Sequence, residues 1–446
     1  MFVGRKKDLR FLDENFIGHD NKLLVIYGHK GVGKSSLMLR FAENKDYSYY
    51  AARPCSETEQ LLQWGAELGT EFFDFNAVFS HINKNGNEKK LIIIDEFQNI
   101  IRYSDSFMPA LIDTVQDASK NCMVILLSSS ISFVETDFVP RIGSMALKIS
   151  AFYKLSEMGF MDCVNYFKNY TTRQCMEVYS ITGGMPAYWK VFDPALSVEE
   201  NIINKIISPA GALYYEGERI ISAELRELNV YSTILSCLSN GLNKLNELHS
   251  RSGFSRAKIS VYLKNLMERE LVEKVFPYDN ASGINAKKGI YRPSIRLLEF
   301  YFRFMFNKRS ALESMTPEAF YKKCVEEELG DFHHGNFCKV CGEYLDILNQ
   351  NNMLPIKATE RGEWVGKKGT IDIVMQDEEG ESLLAFCDWK TETLDMNRLK
   401  ACLLTAQEAR LSPDHLYLFA AGSFSEELKT YAAENSFLKL VDIDTL

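Results

Sequence analysis

Gly28-His29-Lys30-Gly31-Val32-Gly33-Lys34-Ser35 constrains this 446-residue chain more than any other stretch. Leu23-Leu24-Val25-Ile26 runs into it, and Ser36-Leu37-Met38-Leu39-Arg40-Phe41 continues from it with helical spacing. A G-x-x-x-x-G-K-[ST] string between a buried strand and a helix is the pattern of a phosphate loop. Glycine lets the backbone curl tightly and aim successive N–H groups inward, making an anion nest capped by a helix N-terminus. The expected ligands are ATP and Mg²⁺. Gly28, His29, Lys30, Gly31, Val32, Gly33 and Ser36 would shape the cradle, Lys34 would reach the β- and γ-phosphates, and Ser35 would take one Mg²⁺ position. The plainer reading of the same residues is an ordinary Gly-rich turn from strand to helix.

Lys89-Lys90-Leu91-Ile92-Ile93-Ile94-Asp95-Glu96-Phe97 is the second strong signal. A β-branched run ended by two acids reads as a central parallel strand delivering carboxylates to the C-terminal edge of a sheet. Asp95 would hold Mg²⁺, directly or through water, and Glu96 would polarise the attacking water. A buried strand meeting a capped helix would look the same. Met123-Val124-Ile125-Leu126-Leu127 is another buried strand, ending in Ser128-Ser129-Ser130. Ser129 or Ser130 would sense the γ-phosphate there, and either fits equally well as a helix N-cap.

The length exceeds what one hydrophobic core organises, so about three domains are expected. Hydrophobic and charged fractions of 46% and 25% are those of ordinary globular protein. No apolar run approaches the ~20 residues of a membrane span, and the N-terminus lacks a signal peptide's apolar stretch. Ten scattered cysteines fit a reducing cytoplasm. The net charge of −9 denies the chain a global attraction to nucleic acid, so any DNA contact must come from a local basic face.

Phe2-Val3-Gly4-Arg5, the phosphate loop, Ile94-Asp95-Glu96-Phe97-Gln98, the serine-ended strand and Thr182-Gly183-Gly184-Met185-Pro186-Ala187-Tyr188 occur in this order. Together they resemble the archaeal-type ATPase family, a branch near the AAA-type and STAND ATPases. The resemblance implies an ATPase core, a winged helix and a C-terminal restriction-endonuclease-like domain. It also implies that Arg5 lies near the adenine and that the Gly-Gly-Met-Pro motif sits over the nucleotide. One departure concerns the Gly-Arg that such proteins often carry after the sensor strand. Here Pro140-Arg141-Ile142-Gly143-Ser144 has no arginine after the glycine. Arg141 is the candidate substitute, and because the arginine after the glycine is missing, a weak or partner-dependent ATPase is expected.

Residues 216–305 read as a winged helix-turn-helix. Tyr231 to Leu238 is helical, Leu245 to Gly253 is a short helix closed by a turn glycine, and Ser255 caps a second helix through Arg269. Strands at Leu271–Val275 and Gly289–Arg292 would flank a wing. Between Lys244 and Lys288 there are nine basic residues against five acids. Arg256, Lys258, Lys264, Lys287 and Lys288 are the residues that would meet DNA phosphates. The same module would equally serve as packing against the nucleotide core.

In the last third, Gly369-Thr370-Ile371-Asp372-Ile373-Val374 and Leu383-Leu384-Ala385-Phe386-Cys387-Asp388-Trp389-Lys390 resemble the PD-(D/E)xK nuclease core. There, carboxylates hold Mg²⁺ and a lysine polarises the hydrolytic water. Asp372, Asp388 and Lys390 are the candidates, and strand alternation puts Asp388 and Lys390 on one face. The resemblance expects a Glu directly after Gly-x-Phe, where Gly335-Asn336-Phe337 is followed by Cys338. Aligning Cys387-Asp388-Trp389 with the family's Glu-Cys-Lys-Trp string leaves Phe386 and Asp388 at the Glu and Lys positions. Both irregularities imply a degenerate site. His333-His334 with Cys338 and Cys341 invites a zinc reading, but a lone Cys-x-x-Cys lacks the second half of a structural site.

The expectation is therefore an α/β protein. Residues 1–155 would be a P-loop parallel-sheet ATPase core, 156–215 a helical lid, 216–305 the winged helix and 306–446 a PD-(D/E)xK-like domain. Its nucleotide state would control the winged helix and the nuclease-like domain, with DNA, protein partners or self-association as the output. A STAND-like switch and an ATP-gated nuclease are the alternatives.

Overall fold

Leu23, Leu24, Val25 and Ile26 are fully buried in β1 (Lys22–Tyr27), and Leu91 to Ile94 are equally buried in β3 (Lys90–Asp95). Such runs, apolar on both faces, suit the inner strands of a parallel sheet covered by helices. In the computed structural model, which describes residues 2–83, 88–278, 289–366 and 369–446, they join β2 (Tyr47–Ala51), β4 (Cys122–Ser128) and β5 (Ala151–Lys154). The order is β2-β3-β4-β1-β5, and every pairing is parallel. Helices α1 (Lys6–Phe16), α2 (Lys34–Ala42), α3 (Glu57–Leu68) and α4 (Phe75–Ile82) belong to the same unit. Ser56 caps α3 by accepting from Glu59 N–H, and Trp64 of that helix stacks on Tyr50 with ring centroids 4.2 Å apart. This P-loop unit comprises residues through Met158 together with Gly184–Trp189.

The second unit comprises Gly159–Gly183 and Lys190–Leu446. The Gly183-Gly184 break thus falls where the chain passes from one unit to the other. Three helices, Leu228–Ser239, Leu245–Ser252 and Arg256–Glu268, are followed by the antiparallel pair β6 (Val272–Val275) and β7 (Ile290–Pro293). Gly253 ends the middle helix at φ 72°, and the Ser255 hydroxyl accepts from Lys258 N–H to start the next. Most of the expected wing, with Lys287 and Lys288, lies outside the described residues.

Farther along, the 25-residue helix Glu326–Gln350 precedes β8 (Glu360–Val365), β9 (Thr370–Gln376) and β10 (Ser382–Asp388). A short β11 (Thr393–Leu394), β12 (His415–Ala420), β13 (Ser423–Phe424) and β14 (Leu438–Asp442) complete the strands. The mixed sheet runs β14-β12-β10-β9-β8, parallel from β14 to β10 and antiparallel beyond. All ten cysteines are unpaired. Among the described residues, no helix is long and apolar enough to cross a membrane.

Candidate active site

β1 delivers the chain to Gly28, and α2 begins at Lys34. Gly31 and Gly33 turn the loop with φ 91° and 100°, values that a side chain would strain. Gly28 is glycine for space, because an added Cβ would run into the carbonyl oxygen of Leu155. The Lys34 ammonium is buried and donates to the Gly28 and His29 carbonyls at 2.8 and 3.0 Å. Burial lowers its pKa, and the nearby Glu96 and Asp95 charges offset part of that shift.

The two motifs meet at their chemical ends. Ser35 Oγ donates to Asp95 Oδ2 at 2.7 Å, and the Tyr49 hydroxyl reaches the same oxygen at 2.5 Å. Asp95 ends β3, and its other oxygen accepts from Glu96 N–H at 2.9 Å. Glu96 leaves the strand at φ 54°, unusual for a residue with a side chain. Its Oε2 accepts from Ser129 Oγ at 2.7 Å, from Ser129 N–H at 3.3 Å and from Gln98 Nε2. Of the two candidate serines, the structure brings Ser129 to the motif carboxylate; Ser130 N–H donates to Ser128 Oγ.

Arg5 reaches the loop itself, donating to the Val32 carbonyl at 2.7 Å and to that of Ser156 at 2.9 Å. The Gly-Gly-Met-Pro motif comes to the loop as well: Ala187 N–H donates to the Gly31 carbonyl at 3.2 Å, and Gly184 N–H to Glu157 at 2.9 Å. Arg141 faces elsewhere, with Nη2 3.5 Å from Asp105 and 3.4 Å from the Arg102 carbonyl. Tyr49, Gln98 and Glu157 were not foreseen. Gln98 closes the Ile94–Gln98 string without a role of its own there, Tyr49 and Glu157 lie outside the motif strings, and the alternation of β2 is the sole sequence signal that puts Tyr49 and Ala51 on one strand face.

In the second unit, Arg256, Lys258 and Lys264 are exposed on their helix. Arg256 donates to Asn246 at 2.8 Å, Lys258 lies 4.8 Å from the Phe254 ring centroid, and Lys264 is 3.7 Å from Glu268.

Asp372 and Asp388 both face His334, whereas Lys390 lies beyond the end of the strand. β10 stops at Asp388, so alternation does not carry on to Lys390. The Asp388 carboxylate accepts from the Lys390 and Thr391 N–H groups at 3.1 and 2.8 Å and pairs with Arg398 at 3.3 Å. The Lys390 ammonium instead pairs with Asp331 of the long helix and lowers the pKa of that carboxyl. Asp372 stands on β9, accepts from Cys387 N–H at 2.8 Å, and has its pKa raised by burial.

A family described as an AAA domain matches residues 20–152, and one described as Archaea bacterial proteins of unknown function (DUF234) matches residues 301–402. An uncharacterized protein of Methanocaldococcus jannaschii is 28% identical over 407 residues, 87% of this chain and 88% of that protein. An uncharacterized ATP-binding protein of the same organism is 42% identical over 45 residues, 10% of this chain and 76% of that protein. The Walker-type ATPase PABY2304 of Pyrococcus abyssi superimposes with a TM-score of 0.50 at 14% identity, over 68% of this chain and 96% of that one, a likeness of fold.

Proposed function

With an AAA domain and a DUF234 domain in one chain, the protein belongs with the archaeal AAA-type ATPases, and we propose that it binds ATP with Mg²⁺ and hydrolyses it slowly. One observation carries this reading: Ser35–Asp95 and Glu96–Ser129 converge beside Lys34 at the mouth of the loop. A hydroxyl against a carboxylate is an oxygen donor set that suits a hard cation, and Ser35 and Asp95 would hold Mg²⁺. The ion would neutralise phosphate charge when bound. The loop N–H groups would bind the phosphates, with the Lys34 ammonium exchanging its carbonyl partners for β- and γ-oxygens. Glu96, oriented by Ser129, would take the proton of a water whose oxygen attacks the γ-phosphorus. The bridging P–O bond breaks, and ADP and phosphate leave.

Slow turnover rests on the missing arginine after Gly143, with Arg141 instead near Asp105 and the Arg102 carbonyl. The loop meets Ala187 of a segment whose flanks on both sides belong to the second unit. We therefore take Gly184–Trp189 as the covalent path along which the nucleotide state is communicated. The helices and hairpin from Leu228 to Pro293 form the proposed winged helix, and its exposed Arg256, Lys258 and Lys264 support DNA association. The C-terminal domain is proposed to have a nuclease-like fold that does not cut, because Cys338 stands where a carboxylate is expected and Lys390 pairs with Asp331.

The test is ATP binding and hydrolysis by wild type, Lys34→Ala and Glu96→Gln. Lys34→Ala should lose binding, while Glu96→Gln should bind and not turn over. Full activity in Lys34→Ala sinks the reading. DNA retention and cleavage gels with and without ATP address the rest. Retention without cutting is expected; cutting overturns the non-cutting reading, and absence of retention favours a switch acting on protein partners.

A further inference from the structure

The long helix Glu326–Gln350 carries two histidines and two cysteines that the ATPase reading leaves unused. The structure separates them. His333 is buried, with Nδ1 2.5 Å from the Ser180 hydroxyl and its ring packed near Trp389. Cys341 is buried, and its thiol interacts with that of Cys387, which also meets Cys338; Cys341 is not among the mutually close donors. His334 and Cys338, one turn apart on the same helical face, come together with Nε2 and Sγ 3.7 Å apart. Asp372 of β9 joins them, and one donor atom from each of the three lies within 4.8 Å of the others.

We propose that His334, Cys338 and Asp372 form a transition-metal site that prefers a zinc-like ion to Mg²⁺. Imidazole nitrogen, thiolate sulfur and carboxylate oxygen around a tetrahedral zinc stand about 3.5 Å apart, as follows from bond lengths of ~2.0–2.3 Å. The His334–Cys338 separation of 3.7 Å already matches that spacing. The remaining donors need to close by up to about 1.3 Å, within the reach of side-chain rotation. One thiolate and one carboxylate balance the charge of a divalent ion. The thiolate and the imidazole are what select zinc or cobalt over a hard cation.

The site is also held from outside. Asp372 Oδ2 accepts the Cys387 N–H at 2.8 Å, which orients the carboxylate and leaves Oδ1 for an ion. Ile371 and Ile373 on either side are almost wholly buried, so the strand under Asp372 is anchored. All three donors line a cavity of about 270 Å³ that also touches Arg296, Arg303 and Lys339 beside Glu299, Asp331 and Glu363. Three protein ligands leave a fourth tetrahedral position, open to a water or an anion from that cavity. This inference is independent of the ATPase reading.

The experiment strips the full-length protein with a chelator and titrates it with Co²⁺ while recording optical spectra, with wild-type zinc content measured by elemental analysis. One equivalent of Co²⁺ should give a thiolate charge-transfer band and the d–d bands of tetrahedral cobalt. Zn²⁺ should displace it, and millimolar Mg²⁺ should not. Cys338→Ser should abolish the charge-transfer band. His334→Gln and Asp372→Asn should each weaken binding by at least the ~10–100-fold that even outer-shell changes cost. Cys55→Ser, a cysteine of the P-loop unit, should leave the spectrum unchanged. The proposal fails if no charge-transfer band forms, if the band survives Cys338→Ser, or if Mg²⁺ competes as well as Zn²⁺, the behaviour of a hard-cation site. Should Cys338→Ser fail to fold, the wild-type spectrum and His334→Gln still decide.

Discussion

Ser129 donates both its hydroxyl and its backbone N–H to Glu96 Oε2, at 2.7 and 3.3 Å, tying the end of β4 to the residue that follows β3. The carboxylate proposed as the base is therefore aimed by a neighbouring strand and not by its own. The left-handed backbone of Glu96, a conformation a non-glycine residue rarely adopts, is consistent with a side chain constrained by such partners.

Glu96→Gln keeps the shape and removes the base, so kcat should fall ~10²–10⁴-fold with nucleotide affinity little changed. Ser129→Ala leaves the base but frees its direction, and should cost about 10–100-fold in kcat. Single-turnover hydrolysis beside equilibrium nucleotide binding separates the two. An unaltered kcat in Ser129→Ala would show that the contact is merely structural.

Tyr49→Phe removes the hydroxyl that shares Asp95 Oδ2 with Ser35. With one orienting hydrogen bond gone, the Mg²⁺ concentration for half-maximal ATP hydrolysis should rise roughly 2–10-fold, the equivalent of the ~0.5–1.5 kcal/mol net worth of such a bond. Activity titrated against Mg²⁺ at saturating ATP reads this directly.

Gly184 has no room for a side chain, since an added Cβ would meet the backbone N and O of Met158, the residue whose N–H it holds at 2.9 Å. Gly184→Ala should destabilise the P-loop unit by about 3 kcal/mol or more, a loss reserved for substitutions that force backbone apart. Gly159→Ala, with nothing within 4 Å of the new methyl, should cost only about 0.5–1 kcal/mol, from a poorer cap on the helix Phe160–Tyr166. Denaturant unfolding of both variants makes the comparison.

Arg173 lies 4.4 Å from the Trp389 ring centroid and donates to the carbonyls of Ala421 and Trp389 at 3.1 and 3.4 Å. Arg173→Ala should cost about 1–3 kcal/mol in the second unit, through lost stacking and unpaired carbonyls. Arg173→Lys should restore only part, since an ammonium cannot stack as a planar fork does. The midpoint of thermal unfolding would report it.

The phosphate loop, the Asp95-Glu96 strand end and the capped helix at Ser255 could be read directly from the sequence, and for one reason. In each, the chemistry is written in consecutive residues: glycines where the backbone turns, apolar runs where strands are buried, a hydroxyl one step before a helix. Lys390 shows the limit of that kind of reading. Alternation is a property of an extended strand, and β10 ends at Asp388, so the lysine turned to Asp331, which lies 59 positions earlier in the chain. The His-Cys pattern of the long helix left its grouping open, because spacing alone does not say which face of the helix meets β9.

Local sequence by itself therefore determined where the glycine loop curls and which two acids end the following motif, because short-range backbone geometry dictates both. Which serine aims Glu96, that Tyr49 shares Asp95, and that His334, Cys338 and Asp372 converge were decided by tertiary structure. Those groups come from separate strands and helices, and only sheet order and helix rotation bring them within bonding distance.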